Sequence, residues 1–426
     1  MRQIIGKGKI LLIDGPACVT LHSGAVRAFG APIKIGEQVI VRMGKRIPFE
    51  AMEDSQIEML LGNSASYLII DEDPIPQSWK EAVGAILSSD KGTEIIMVLG
   101  GIDSGKTSFC IYLANTALSL GRNVSLIDGD LGQSDVGPPG TVGLSIIKKP
   151  IIDPFNLKPD HIIFIGVTSP YIAVKSIIEG LVNLKTRALE MGSNFVIINT
   201  DGWIEGAGAA EYKLSLIKAV KPRFIVAIQS NSELKPIMES LSGLEAGILK
   251  VDVPKNIKKR DRETRKIIRE SSYKKYLKDG KIRSYPLSWI TVDGNLELKG
   301  RNDQFLKKRL EEIVGNKIIY CENTESQIIL VLKSGLTLSD EENANLNAEF
   351  KKPIKILHEG DEKGLLVSLE DNERRFLGIG TIRCIDYDRS VLKVYTNADG
   401  PVSRIHVGRI RLDEKGNEVE VILKSQ

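Results

Sequence analysis

Residues 100–107 read Gly-Gly-Ile-Asp-Ser-Gly-Lys-Thr, the full G-x-x-x-x-G-K-[ST] pattern of a phosphate-binding loop. Its flanks give the pattern its weight. Glu94 to Leu99 make a run that is apolar after its first residue, as a strand buried on both faces requires, and Phe109, Leu113, Ala117 and Leu120 recur at helical spacing as far as Gly121. A strand that passes through a glycine turn into a helix opens an α/β sheet whose site lies beyond the strand ends. Gly100 and Gly105 let the backbone turn tightly, so that its N–H groups and the helix N-terminus face an anion. Lys106 adds a positive charge there, and Thr107 a hydroxyl suited to Mg²⁺. Gly100, Gly101, Ile102, Asp103, Ser104, Gly105, Lys106, Thr107 and Ser108 are therefore expected to cradle a nucleoside triphosphate.

On either side of this centre the hydrophobic period changes. Residues 1–75 alternate short β-prone runs with glycine turns, as in Lys9–Ile13, Cys18–Leu21, Gln38–Arg42 and Tyr67–Ile70, which predicts a small antiparallel sandwich or barrel. Trp79 to Leu87 predicts a helix leading into the loop. From 93 to about 250, strands at 94–99, 123–127, 161–165, 195–199 and 223–229 alternate with helical stretches, the pattern of a mainly parallel sheet. Short β-prone runs return at Ile328–Leu332, Gly364–Leu369, Val391–Tyr395 and Ile405–Leu412. The expected architecture is α/β, with a central domain at 76–295 flanked by small β-rich domains at 1–75 and 296–426.

At 426 residues the chain has room for several cores, and 58 Lys plus Arg against 55 Asp plus Glu leave a net charge of only +3. Any polyanion must therefore be met by a local patch. Cys18, Cys110, Cys321 and Cys384 stand far apart without a C-x-x-C pair, and the four histidines lack metal-ligand spacing, so neither a zinc site nor a disulfide framework is expected. No apolar stretch approaches the roughly 18 residues of a membrane span, and a cytoplasmic location is expected.

The residues just past each strand are the ones that can carry chemistry. The second strand ends in Asp128-Gly129-Asp130-Leu131-Gly132-Gln133, whose two carboxylates can divide the labour, one ordering Mg²⁺ and its waters and the other facing a nucleophile. The third ends in Gly166-Val167-Thr168-Ser169-Pro170 and the fourth in Asn199-Thr200-Asp201-Gly202-Trp203, where the indole can stack on a base or brace the site. From Lys255 to Lys281 there are twelve Lys or Arg against four Asp or Glu, with Arg262, Arg265 and Arg269 on one helical face. That segment can be a solvated face or a lid that neutralises charge on a transferring phosphoryl group. Tyr273 and Tyr276, set among its lysines, would then extend the contact to a nucleic-acid strand.

In this order the motifs G-G-I-D-S-G-K-T, D-G-D-L-G-Q with Pro138-Pro139-Gly140-Thr141, G-V-T-S-P, N-T-D-G-W-I-E-G-A-G and the arginine-spaced lid resemble the polynucleotide 5'-hydroxyl kinases in their archaeal form. That family includes the kinase subunit of the eukaryotic pre-mRNA cleavage factor and the pre-rRNA-processing kinases. Gly15-Pro16-Ala17 and Gly378-Ile379-Gly380 are similar to its terminal β modules. The resemblance implies ATP as co-substrate with Mg²⁺ held by Thr107 and Asp128, Asp130 as the base toward the 5'-hydroxyl, and Lys106, Arg265 and Arg269 on the transferring phosphate. It implies Gln133, Thr168, Trp203 and Arg262 on the acceptor side, although Tyr171 and Ile172 stand where the family's clasp often carries an asparagine. RNA 5'-hydroxyl ends are the implied acceptor, with DNA as a second one, and RNA-processing proteins are the implied partners.

Two other classes compete with this one. An ATP-holding scaffold subunit without turnover would need no Asp130, Arg265 or Arg269. A switch GTPase would need N-K-x-D or T-K-x-D to read guanine, and a partitioning-type ATPase an additional lysine near the start of the phosphate loop; the chain has none of these.

Overall fold

Alternation of inward apolar and outward polar residues builds the first nine strands. In β3 (Ala17–Ser23) Ala17, Val19 and Leu21 are buried while Cys18, Thr20 and His22 are not. With β1 (Arg2–Ile5), β6 (Gln38–Val41) and β8 (Ser55–Leu61) it forms an antiparallel sheet in the order β1-β8-β3-β6. A second antiparallel sheet, β5-β4-β7-β2-β9, comprises β2 (Ile10–Asp14), β4 (Val26–Ala28), β5 (Ala31–Ile33), β7 (Arg46–Ala51) and β9 (Ser66–Ile70). The expected antiparallel sandwich is present.

This computed structural model describes residues 1–422 apart from 90, 91, 242 and 244. The chain divides into two compact units, Met1–Ile165 with Ser169–Arg269, and Gly166–Thr168 with Glu270–Gln426. In the first unit the sandwich and the central domain share one apolar core, in which Leu11, Val19 and Phe49 lie in the same cluster as Phe109, Leu113 and Val98. Asn115, 3% exposed, ties the two together: its Nδ2 donates to Phe29 O at 2.9 Å and Ile151 O at 2.8 Å, and its Oδ1 accepts from Ile151 N at 2.8 Å.

Helix α1 (Gln77–Leu87) leads to β10 (Glu94–Gly100), the phosphate loop and α2 (Lys106–Ser119). The central sheet runs β13-β12-β11-β14-β10-β15-β16, with β11 (Val124–Gly129), β12 (Thr141–Ile147), β13 (His161–Phe164), β14 (Phe195–Thr200), β15 (Phe224–Ile228) and β16 (Gly247–Val251). All five expected strands are present, and two more appear. β16 adds a parallel edge, and β12 runs antiparallel between β11 and β13, so the sheet is mixed on that side. Helices α3 (Val174–Glu190), α4 (Ala207–Val220) and the short α5 (Lys235–Glu239) complete the layers, and α6 (Arg262–Leu277) forms most of the basic segment.

The second unit centres on the sheet β17-β24-β23-β22-β25-β18, made of β17 (Lys281–Pro286), β18 (Thr291–Gly294), β22 (Leu365–Glu370), β23 (Phe376–Asp386), β24 (Val391–Thr396) and β25 (Arg404–Leu412), with β26 (Glu418–Val421) beside β25. A smaller sheet of β19 (Ile318–Asn323), β20 (Ile328–Leu332) and β21 (Ile354–His358) buries a separate core with α7 (Gln304–Val314) and α8 (Asp340–Glu349). The β-rich character is as expected; the two helices are additional. α8 starts at a capping box, Ser339 with Glu342, a signal that was open to reading in Ser-Asp-Glu-Glu. Among the described residues no helix is long and apolar enough to cross a membrane.

Candidate active site

Sheet register assembles the site. Asp128 at the end of β11 is the partner of Asn199 on β14, and Asn199 is the partner of Val98 on β10, two residues before the loop. Parallel strands ending in step put their first loop residues on one rim.

The loop from Gly100 to Ser108 turns through two left-handed residues, Asp103 at φ +54° and Gly105 at φ +97°. A Cβ on Gly105 would lie 3.3 Å from Trp79 and Ile257, so that position needs glycine for space as well as for φ. Lys106 is 6% exposed and its Nζ donates to the carbonyls of Gly100 at 3.0 Å and Gly101 at 2.7 Å. Burial lowers its pKa, and the nearby Asp130 carboxylate opposes that. Ile102 stands exposed at the tip of the loop, while Ser104 is buried.

The two carboxylates past β11 have different surroundings. Asp128, 2% exposed, accepts four bonds: Oδ1 from Asp130 N at 3.2 Å and Asn199 Nδ2 at 3.0 Å, and Oδ2 from Asp135 N at 2.6 Å and Val136 N at 3.2 Å. Burial, reinforced by the carboxylates of Asp135 and Asp130, pushes the Asp128 carboxyl up to about 7. Asp130 is only half-buried, and Gly132 N at 3.1 Å and Gln133 N at 3.0 Å both fall on its Oδ1. Burial raises its pKa as well, Lys106 pulls it down, and Asp201 adds to the rise.

Asn199 is a site residue that sequence reasoning placed on the rim without a role. Its Nδ2 reaches Thr107 Oγ1 at 3.5 Å besides Asp128, and its buried Oδ1 has no hydrogen-bond partner. A hydroxyl and an orphaned amide oxygen are hard donors of the kind Mg²⁺ takes, so Thr107 and Asn199 fit that ion, with Asp128 beside them. Both Asp128 oxygens already accept two N–H bonds each, so its part there is to orient Asn199 and the following loop.

Past β14, Asp201 is 3% exposed and held at both oxygens: Oδ1 accepts from Trp203 N at 2.9 Å, and Oδ2 from Tyr212 Oη at 2.7 Å and from Lys213 Nζ at 2.9 Å. Trp203 stacks on Tyr212 with ring centroids 5.6 Å apart and planes at 23°, so its ring is braced from one side. No sequence signal marked Lys213, a lysine within an otherwise apolar helical face.

The lid meets the loop through a residue the arginine spacing had passed over. Arg260 donates from its backbone to Asp103 Oδ2 at 2.9 Å and from Nε to Asp103 Oδ1 at 2.7 Å, with Nη2 also on Asp103. Arg265 Nη2 lies 3.6 Å from the same carboxylate and donates to Arg260 O. Gln133 joins the loop that follows β11, the switch loop of residues 130–140, to the lid, donating to Arg265 O and accepting from Arg260 Nη1, both at 3.3 Å. Arg262 is exposed and Arg269 half-buried. Tyr273 is fully buried in the second unit, so it offers no ring face to a nucleic-acid strand, because the helix turns that side into a core. Within the first unit the structure thus brings together the phosphate loop, Asp128, Asp130, Gln133 and Arg265; Thr168 belongs to the second unit, where neighbouring Gly166 O accepts from Arg409 N at 2.8 Å.

Comparison with known proteins gives this geometry a family context. Residues 100–279 match the family model described as mRNA cleavage and polyadenylation factor CLP1 P-loop. The chain is 30% identical over 357 residues to the polyribonucleotide 5'-hydroxyl-kinase of Methanocaldococcus jannaschii, covering 82% of this chain and 95% of that one. Its identity to the enzyme of the same name from Pyrococcus furiosus is also 30%, over 356 residues, with 82% and 96% covered. The Clp1p chain in a solved Clp1p–Pcf11p complex superposes with a TM-score of 0.66 over 96% of this chain and 97% of that one, at 14% identity, a likeness of fold.

Proposed function

Since the chain belongs to the polyribonucleotide 5'-hydroxyl-kinase family, we propose that it transfers the γ-phosphoryl group of ATP to the 5'-hydroxyl of an RNA end. The observation that carries the reading is the state of Asp130: half-buried, bonded by backbone amides on one oxygen, raised in pKa by burial, and facing the charge of Lys106. A carboxylate lifted toward the working pH is a better proton acceptor than an ordinary one.

Phosphoryl transfer asks the protein for position and charge more than for covalent chemistry. The amides of the loop bind the phosphates, and Lys106 exchanges the carbonyls of Gly100 and Gly101 for phosphate oxygens. Asp130 takes the proton of the 5'-hydroxyl as its oxygen approaches the γ-phosphorus in line. Arg265 and Arg269 neutralise charge growing on the transferring group, while Gln133, Trp203 and Arg262 lie toward the acceptor. Magnesium, when held by Thr107 and Asn199 beside Asp128, would supply charge neutralisation of the triphosphate.

The test is transfer of labelled γ-phosphate from ATP to oligonucleotides of one sequence as RNA and DNA, each with a 5'-hydroxyl or a 5'-phosphate. Label on 5'-hydroxyl RNA alone, or on both 5'-hydroxyl strands, is expected. ATP binding without label on any strand would make the protein a scaffold.

A further inference from the structure

The turn of residues 42–45, between β6 and β7 of the N-terminal sandwich, reaches two parts of the site. Arg42 donates from Nη2 to Asp135 Oδ1 at 2.7 Å, and from Nε and Nη2 to the two oxygens of Asp153 at 2.5 and 2.7 Å. Its guanidinium lies 4.0 Å from the centre of the Phe155 ring. Lys45 Nζ takes the other oxygen of Asp135 at 2.7 Å. Asp135 is 6% exposed, and its own amide is the one 2.6 Å from Asp128 Oδ2. A chain of bonds therefore runs from the sandwich, through one residue of the switch loop, to the carboxylate at the end of β11.

The second contact is with the lid. Gly44 sits at φ +73°, and a Cβ there would stand 2.7 Å from Ile268 Cδ1 and 3.2 Å from Thr264 Cγ2 on α6. Next to it, Arg46 is paired through Nε and Nη2 with Asp14 at 2.7 and 2.8 Å and donates from Nη1 to Asn256 O at 2.9 Å; Lys258 Nζ is 3.5 Å from Asp14. The segment that enters the lid is thus held by the same edge of the sandwich.

Buried charge networks are poor stabilisers, since well-packed apolar groups often do as well or better in their place; what they can supply is a defined geometry. We infer that Arg42 and Lys45 are positioning residues for phosphoryl transfer, fixing Asp135 and, through the backbone that joins it to Asp128, the place where Asp130 presents its carboxylate. The inference rests on the kinase reading above. It gives the N-terminal sandwich a task in the reaction that acts through Asp135.

Lys45→Met is the variant to measure, with Lys45→Arg as the charge-retaining control. Arg42→Met would leave both Asp135 and Asp153 short of a buried partner and is expected to fold poorly. Three readouts are needed: kcat and KM for ATP at a temperature well below melting, the melting temperature itself, and hydrogen exchange over residues 130–137 of the nucleotide-free protein. For Lys45→Met, kcat should fall about tenfold with KM for ATP within about twofold of wild type. Exchange over 130–137 should quicken, and Lys45→Arg should restore both. A kcat within about twofold of wild type, or unchanged exchange over 130–137, overturns the inference. If the wild-type protein itself transfers no phosphate, the kinase reading fails, and the exchange measurement alone still decides whether the turn holds the loop.

Discussion

The ends of β11 and β14 lie side by side in the sheet, and each is followed by an aspartate, yet the two acids are set to different work. Past β14, Asp201 is met by a buried lysine, a phenol and a backbone amide, which pair its charge at close range and take three of its roughly four lone-pair sites. Past β11, Asp130 has only two backbone amides, both on the same oxygen, and its main counter-charge is Lys106 of the phosphate loop, opposed by the carboxylate of Asp201. The residue type is identical; the company differs. A strand-end aspartate is an anchor where a neighbouring helix supplies its counter-charge, and a proton acceptor where that counter-charge comes from the group that also binds substrate.

This contrast can be broken from either side. The largest effect is expected from Asp130→Asn, which should lower kcat by about 10²–10⁴-fold while ATP still binds. Turnover near wild type would remove Asp130 as the base. Lys213→Met comes next, because it strands a carboxylate of 3% exposure, and should cost about 3–5 kcal/mol of stability in denaturant unfolding. Asp201→Asn in the same chain should recover part of that loss; if Lys213→Met unfolds at the wild-type midpoint, Asp201 is no anchor. The smallest effect sharpens the difference by pH. An acid whose folded pKa is raised costs stability once it ionises, so wild type loses stability as pH rises from the ordinary aspartate value through the elevated one. Asp130→Asn escapes this cost and should melt above wild type at pH 8, with the gap closing toward pH 4. A gap that persists at pH 4 would show that charge is not its source.

Much of this site was readable from composition and order. The phosphate loop announces itself because its glycines, lysine and threonine act through the backbone and adjacent positions, and Asp128 and Asp130 are located by counting strands. β12 was hidden because Pro138-Pro139-Gly140-Thr141 reads as part of the switch, whereas Thr141 already pairs with Phe164 on β13. Arg260 escaped because helical spacing draws the eye to Arg262, Arg265 and Arg269, while the residue that grips Asp103 lies just before the helix begins. Lys213 meets Asp201 across the turn between β14 and α4, a pairing that no motif marks, and for the Arg42–Asp135 contact no local pattern encodes a partner 93 residues away.

The amide of Asn115 also bears on the order in which the protein takes shape. A nascent chain that has emerged only as far as residue 75 lacks the group that satisfies Phe29 O, and lacks the phenyl and leucyl side chains of α2 on which the sandwich closes. The first domain to leave the ribosome must therefore wait, unfinished, for α1, β10 and α2, and chaperone demand should concentrate in that interval of synthesis.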